Sequence, residues 1–210
     1  MSDVVFDIQS AGKREQTKQQ NRQAILDAAR EVFAEMGYQA ATVRDIIRRT
    51  NLSVGAFYNY YRSKEEVFDA LADDGARRFR PILHAQAARA TDFESYLRAA
   101  VRAYFDFLAE EHDDLSDLGP TRREIVHHPR TDTPEMLAVF AEVRQALADV
   151  IDRGLAPKVD LDYLATSCIA VARDVGDQMI IRQHVDVAGA TEFVVRLILG
   201  GAHALPRVER

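Results

Sequence analysis

Apolar residues recur at intervals of three and four along almost the whole chain, broken only by short polar or glycine-bearing stretches, and that period predicts helix after helix. Ile25, Ala28, Ala29, Val32 and Phe33 form one stripe, and Gly37 supplies the residue that ends it. Thr42 is placed to cap a short second helix that runs out by Thr50, with Asp45 favourable near its positive end. Asn51 and Leu52 form a turn, and Ser53 caps a third helix that ends near Tyr61. Ser63 and Glu66 make a capping box for a fourth. On the third helix Val54, Phe57 and Tyr61 fall on one face and are assigned to the core.

The remainder is helical with weaker punctuation. Arg80-Pro81 should kink or end one helix, because proline removes a backbone donor. Thr91 and Glu94 form a capping box that opens a helix through about Glu110, and the run EHDDLSDLGP reads as a turn region. Thr133 followed by Pro134 marks the start of a helix reaching roughly Gly154. Two long helices, near 160–184 and 188–204, close the chain. The pattern predicts an all-α protein. Its expected domains are a flexible basic N-terminal arm (1–20), a helix-turn-helix domain (21–66) and a larger C-terminal domain (67–210).

Composition narrows the class. With 210 residues, 47% hydrophobic and 29% charged, the chain can bury a sizeable core. No apolar run approaches the roughly 20 residues a membrane helix needs, and MSDVVFDIQSAGKREQ lacks a signal peptide's apolar segment, so a cytoplasmic location without membrane contact is expected. The single Cys168 cannot form an internal disulfide and leaves no basis for a cysteine metal cluster.

Charge changes the picture more. The net charge of −6 is unevenly spread: from Lys13 to Lys64 ten Lys or Arg face five Asp or Glu, whereas residues 65 to 210 hold seventeen against twenty-six. A basic N-terminal part on an acidic body attracts phosphate through one face only; the alternative is a chance fluctuation over some fifty residues. Two short helices joined by a tight turn behind a supporting helix make a helix-turn-helix. If Val54, Phe57 and Tyr61 face inward, Gly55, Ala56, Tyr58, Asn59 and Tyr60 face outward. Small residues let a backbone approach a groove, tyrosine hydroxyls donate to phosphates, and Asn59 can pair with an adenine edge. A tyrosine-rich wet protein interface is the other reading of that face. The segment KREQTKQQNR, with Lys13, Arg14, Lys18 and Arg22, is either an arm that enters a minor groove or a solvated tail.

"TVRDII" and "LSVGAFYNYYRSKEE" resemble the N-terminal DNA-binding domain of TetR-family transcriptional regulators, and the resemblance covers residues 22–65. It implies that Thr42, Arg44, Ser53, Tyr58, Tyr60 and Lys64 touch phosphates of a double-stranded operator, with Gly55, Ala56 and Asn59 nearest the bases. Asn51 and Ile47 depart from the usual pattern, which expects glycine and a small residue there. The resemblance also implies a homodimer that reads two half-sites roughly 34 Å apart. An apolar surface on the last two helices agrees with this: Ala165, Cys168, Ala172, Gly176 and Ile180 on one, Val194, Leu197, Ile198 and Gly201 on the other, which would pair across a two-fold axis unless the bundle is entirely intrachain.

By the same resemblance the C-terminal helices enclose a small, hydrophobic effector. Tyr104, Phe107, Leu108, Met136, Phe140 and Met179 are candidates for its walls and Arg123, His127 and Arg173 for its polar anchors. Taken alone, the apolar residues read more readily as core, and the charged ones as solvated faces or ion pairs. Adjacent His127 and His128 point about 100° apart on a helix and do not share one metal ion. No cofactor is expected. An enzyme is disfavoured, since Cys168 sits in an apolar stripe and no phosphate loop or nucleophile elbow is present. A nonspecific DNA-coating protein is disfavoured by the acidic body.

Overall fold

The computed structural model describes the backbone of residues 2–113, 133–202 and 204–205, and the side chains of 13–111, 133–202 and 204–205. All regular structure among them is helical. The order is α1 (Ser2–Met36), α2 (Val43–Arg48), α3 (Val54–Tyr58), α4 (Lys64–Arg89), α5 (Phe93–Asp113), α6 (Pro134–Asp152), α7 (Leu161–Ile180) and α8 (Val187–Ala202). The described residues divide into two compact units, one up to Leu71 and one from Ala72 onward. The boundary falls within α4, five residues beyond the expected one, because Val67 is buried in the first core and Phe68 stacks edge-on to Phe33 and Tyr38.

The first unit closes on the expected stripe of α1 together with Tyr38, Ile46, Phe57, Tyr61 and Val67. Gly37 ends α1 in the left-handed conformation, φ 78°, which glycine adopts without steric cost. Val54, assigned to the core by spacing, is 56% exposed, because the first residue of so short a helix projects past the neighbours that enclose Phe57.

In the second unit α5 packs on α8 and α7, and α7 on α6 and α8. Their shared core runs from Phe93, Tyr96 and Phe105 through Leu147 and Val150 to Leu164, Met179, Val194 and Val195. Thr133 caps α6, its hydroxyl accepting from the Met136 amide, with Pro134 in the first turn as expected. Of the two outcomes expected at Pro81, an ending does not occur: helix α4 runs through Pro81, which is exposed, while Phe79 and Leu83 on either side are buried. One expectation is corrected. The cap of α5 is Asp92 rather than Thr91, since Asp92 accepts from the Ser95 amide at 2.7 Å while Ser95 Oγ accepts from the amides of Asp92 and Thr91. Among the described residues no helix is long and apolar enough to cross a membrane.

Candidate nucleic-acid interface

The helix-turn-helix is assembled by its caps. Thr42 and Asp45 bond reciprocally, the Thr42 amide donating to the Asp45 carboxylate at 3.1 Å and the Asp45 amide to Thr42 Oγ1; the Thr42 hydroxyl's own bond to that carboxylate, more than the amide's, holds the Asp45 carboxyl below its ordinary pKa. In the turn Thr50 Oγ1 donates to the Ile47 carbonyl and accepts from the Leu52 amide, so one side chain shapes the chain between the helices. Ser53 Oγ then accepts from the Ala56 amide and starts α3. Arg49 anchors α2 to α1 by ion pairs with Glu31 and Glu35, and its bond lowers the Glu35 pKa.

This frame presents α3 outward. Gly55 and Asn59 are exposed, Tyr58 is half-exposed, and nothing lies within 4 Å of a side chain added at Gly55. Arg44, on α2, is exposed as well. Helix α3 is shorter than expected: it ends at Tyr58, with Asn59 as its C-cap, and Tyr60 follows in a turn. There Tyr60 is half-buried, its hydroxyl accepting from Asn21 Nδ2 at 3.0 Å, which leaves the phenolic proton available to a further acceptor. The Thr42 hydroxyl proton is committed to Asp45 at 2.6 Å, whereas the Ser53 hydroxyl proton has no such engagement among the described residues.

Lys64 is engaged within the protein. Its ammonium donates to the carbonyls of Tyr38 at 2.8 Å, Ala41 at 3.1 Å and Gln39 at 3.2 Å, and lies 4.5 Å from the centre of the Tyr38 ring. An ammonium has three N–H donors, and in this arrangement all three reach the loop between α1 and α2, so Lys64 tethers that loop. Tyr38 beside it donates to Glu65 at 3.0 Å, and burial together with that bond pushes its pKa up to about 12. Sequence reasoning missed these partners because they are carbonyls some 25 positions away.

The N-terminal segment is also corrected. Lys13, Arg14, Lys18 and Arg22 lie on α1, not on a flexible arm; KREQTKQQNR contains good helix formers and neither glycine nor proline. A shallow groove beside them is lined by Lys13, Arg14, Thr17, Lys18 and Tyr60. Arg22 donates to the Tyr61 hydroxyl at 3.0 Å and covers its ring.

The second unit sorts the other expected residues. Tyr104 and Phe107 flank Phe79, with ring centres 5.4 and 5.5 Å away. Leu108 lies against Gly176, where an added side chain would meet it at 2.7 Å. Phe140 borders the same core, Met179 is fully inside it, and Met136 is half-buried at the start of α6. Arg173 pairs with its neighbour Asp174 at 2.9 Å. Arg123, His127 and His128 lie outside the described residues. Spacing places Tyr96 among the apolar positions of its helix and gives no sign of Glu142: Tyr96 Oη and Glu142 Oε2 are buried without a hydrogen-bond partner, while Arg80 Nε donates to the other Glu142 oxygen. Burial, more than the nearby Cys168 and Glu142, raises the Tyr96 pKa, and burial alone pushes the Cys168 thiol up to about 12.

The expected dimer residues divide unequally. Ala165, Cys168, Gly176, Ile180, Val194 and Ile198 are enclosed by this chain's own helices and Ala172 is half-buried, whereas Leu197 and Gly201 are exposed. The first six therefore pack chiefly within this chain, and the exposed part of the stripe is Leu197 and Gly201. Spacing identifies an apolar face without saying which neighbour covers it. The large apolar side chains that α7 and α8 leave exposed are Tyr163, Phe193 and Leu197, the last two on one face of α8 with Gly200 and Gly201.

Comparison with known proteins agrees with this geometry. A sequence model described as bacterial regulatory proteins of the tetR family matches residues 25–71. The chain is 34% identical over 146 residues to the HTH-type transcriptional repressor AcnR of Corynebacterium efficiens, the alignment covering 70% of each chain. It is 27% identical over 195 residues to the HTH-type transcriptional activator FasR of Mycolicibacterium smegmatis, covering 90% of this chain and 86% of that one. Its fold is similar to that of the transcriptional regulator FadR of Bacillus subtilis solved in complex with stearoyl-CoA, with TM-score 0.69, 19% identity, and 85% of this chain and 98% of that chain covered.

Proposed function

The chain belongs to the TetR family of bacterial transcriptional regulators, and from that premise we propose that it is a homodimeric repressor released from its operator by a small hydrophobic effector. DNA binding regulates transcription in this family. The observation that carries the reading is the outward face of α3, where Gly55, Tyr58 and Asn59 stand clear of the core on a helix pinned by buried Phe57. A repressor is favoured by the similarity to AcnR. The dimer is supported by Phe193 and Leu197, 60% and 51% exposed on one face of α8, with Gly200 and Gly201 allowing close approach. A hydrophobic effector is supported by the aromatic group Phe79, Tyr104 and Phe107 in the second unit and by the stearoyl-CoA of the structurally similar FadR.

Release requires the effector to bind the operator-incompetent state more tightly than the competent one, since equal affinity shifts nothing. The test is selection of bound fragments from sheared genomic DNA at about physiological salt, where specificity has a defined meaning. Enrichment of a few pseudo-palindromic sites supports the dimeric operator reader. Salt-sensitive binding with no enriched sequence overturns it.

A further inference from the structure

We propose that α1, ahead of the helix-turn-helix, is a second contact element for duplex DNA, with Lys13, Arg14 and Lys18 flanking a groove that takes the phosphodiester backbone beside the α3 contact. The inference rests on the DNA-binding reading and adds a binding surface to it. Three observations carry it. The first is register. At about 100° per residue, Lys13, Arg14, Thr17, Lys18 and Asn21 fall on one side of α1, and one turn further on that side becomes Ile25, Ala28 and Val32, which are buried in the first core. The side that packs against the helix-turn-helix therefore turns basic where the helix outruns the core.

The second observation is the groove itself. Tyr60, just past α3, forms its other wall, held there by Asn21, so the three cations and the end of the recognition element border one depression. The third is availability. All three cations are exposed, and among the described residues none has an ion-pair partner, while the Tyr60 hydroxyl keeps its proton for an acceptor. Thr17 directs its own hydroxyl back to the Lys13 carbonyl at 2.9 Å and does not compete. Backbone contacts of this kind add affinity and salt dependence without sequence preference.

The test compares wild type with Lys13→Gln/Arg14→Gln/Lys18→Gln on two duplexes of about 40 base pairs, one random and one enriched by genomic selection, across a salt series. The expected result is a slope of log K against log salt shallower by about three per bound chain, with equal loss on both duplexes and an unchanged specificity ratio. A matched control, Arg153→Gln/Lys158→Gln/Arg182→Gln, removes the same charge from exposed positions of the second unit and should leave the slope alone. Lys13→Arg/Lys18→Arg should keep the wild-type slope. An unchanged slope in the first triple variant, or equal flattening in the control, overturns the α1 contact while leaving DNA binding intact. Failure of wild type to bind either duplex overturns the DNA-binding reading and this inference with it.

Discussion

The hydroxyls of Tyr38, Tyr60 and Tyr61 in the first unit and of Tyr96 in the second are treated in opposite ways. In the first, Tyr38 donates to Glu65, Tyr60 accepts from Asn21 and Tyr61 accepts from Arg22. In the second, Tyr96 is buried among apolar side chains and its hydroxyl meets no partner. The contrast follows from size. Helix α3 has five residues and buries one side chain, Phe57, so neither its own helical propensity nor its contact area holds it, and directional bonds must. Helices α7 and α8, with 20 and 16 residues, are held by apolar area, which is indifferent to direction and tolerates an idle hydroxyl. A surface that must meet a ligand in one orientation is thus built from caps and tethers, and the body that supports it from packing.

The contrast breaks most visibly at the shared dependence on core aromatics. Phe57→Ala should cost about 3–5 kcal/mol and abolish DNA binding while the second unit stays helical by circular dichroism. If Phe105→Ala, an equally buried change in the second unit, removes DNA binding just as completely at a temperature where the first unit is folded, the two units are not separable in the way described. Next in size, Lys64→Ala leaves three loop carbonyls without their donor. It should destabilise the first unit by roughly 2 kcal/mol in thermal unfolding. The salt slope of DNA binding measured below that transition should be unchanged; a flatter slope would place Lys64 among the phosphate contacts.

Smaller effects test the outward face. Tyr58→Ala should weaken operator binding about fivefold to tenfold, and Tyr60→Phe somewhat less, with the oligomeric state by sedimentation unaltered. Loss of the oligomer in either variant would place these residues on the wrong surface. The smallest effect is expected where the hydroxyl is idle: Tyr96→Phe should change stability by less than about 0.5 kcal/mol, and a larger loss would reveal a partner. Its neighbour Cys168 gives a matching readout. Burial favours the neutral thiol, so the group stays protonated until pH nears 12, and iodoacetamide at pH 8 should modify it only after unfolding in urea.

Much of the first unit was legible because its signals are local. A cap needs two residues three apart, and a helix stop needs one glycine, so Thr42 with Asp45, Ser53 and Gly37 could each be read within a single turn. The same logic failed by one position at α5, where Thr91-Asp92 offers two competent caps and only the packing of Phe93 chooses. At Pro81 spacing left two outcomes open, and the helix does not end there: the cost of a missing donor is set against burial of Phe79 and Leu83, which spacing alone does not weigh. Of the residues expected to meet DNA, Gly55, Tyr58 and Asn59 lie on the outward face, while Lys64 is consumed by carbonyls far away in sequence.

Helical class, the positions of the caps, the opposite charges of the two parts and the motif that marks an operator reader are all carried by residues within a turn or two of each other, where interaction strength depends on near neighbours alone. Which side of α7 and α8 meets this chain's own core, where the three hydrogens of Lys64 are spent, and the meeting of Lys13, Arg14 and Lys18 with Tyr60 in one groove depend on segments tens of positions apart. Burial and hydrogen bonding are pairwise in space and not in sequence, so only the folded chain assigns those partners.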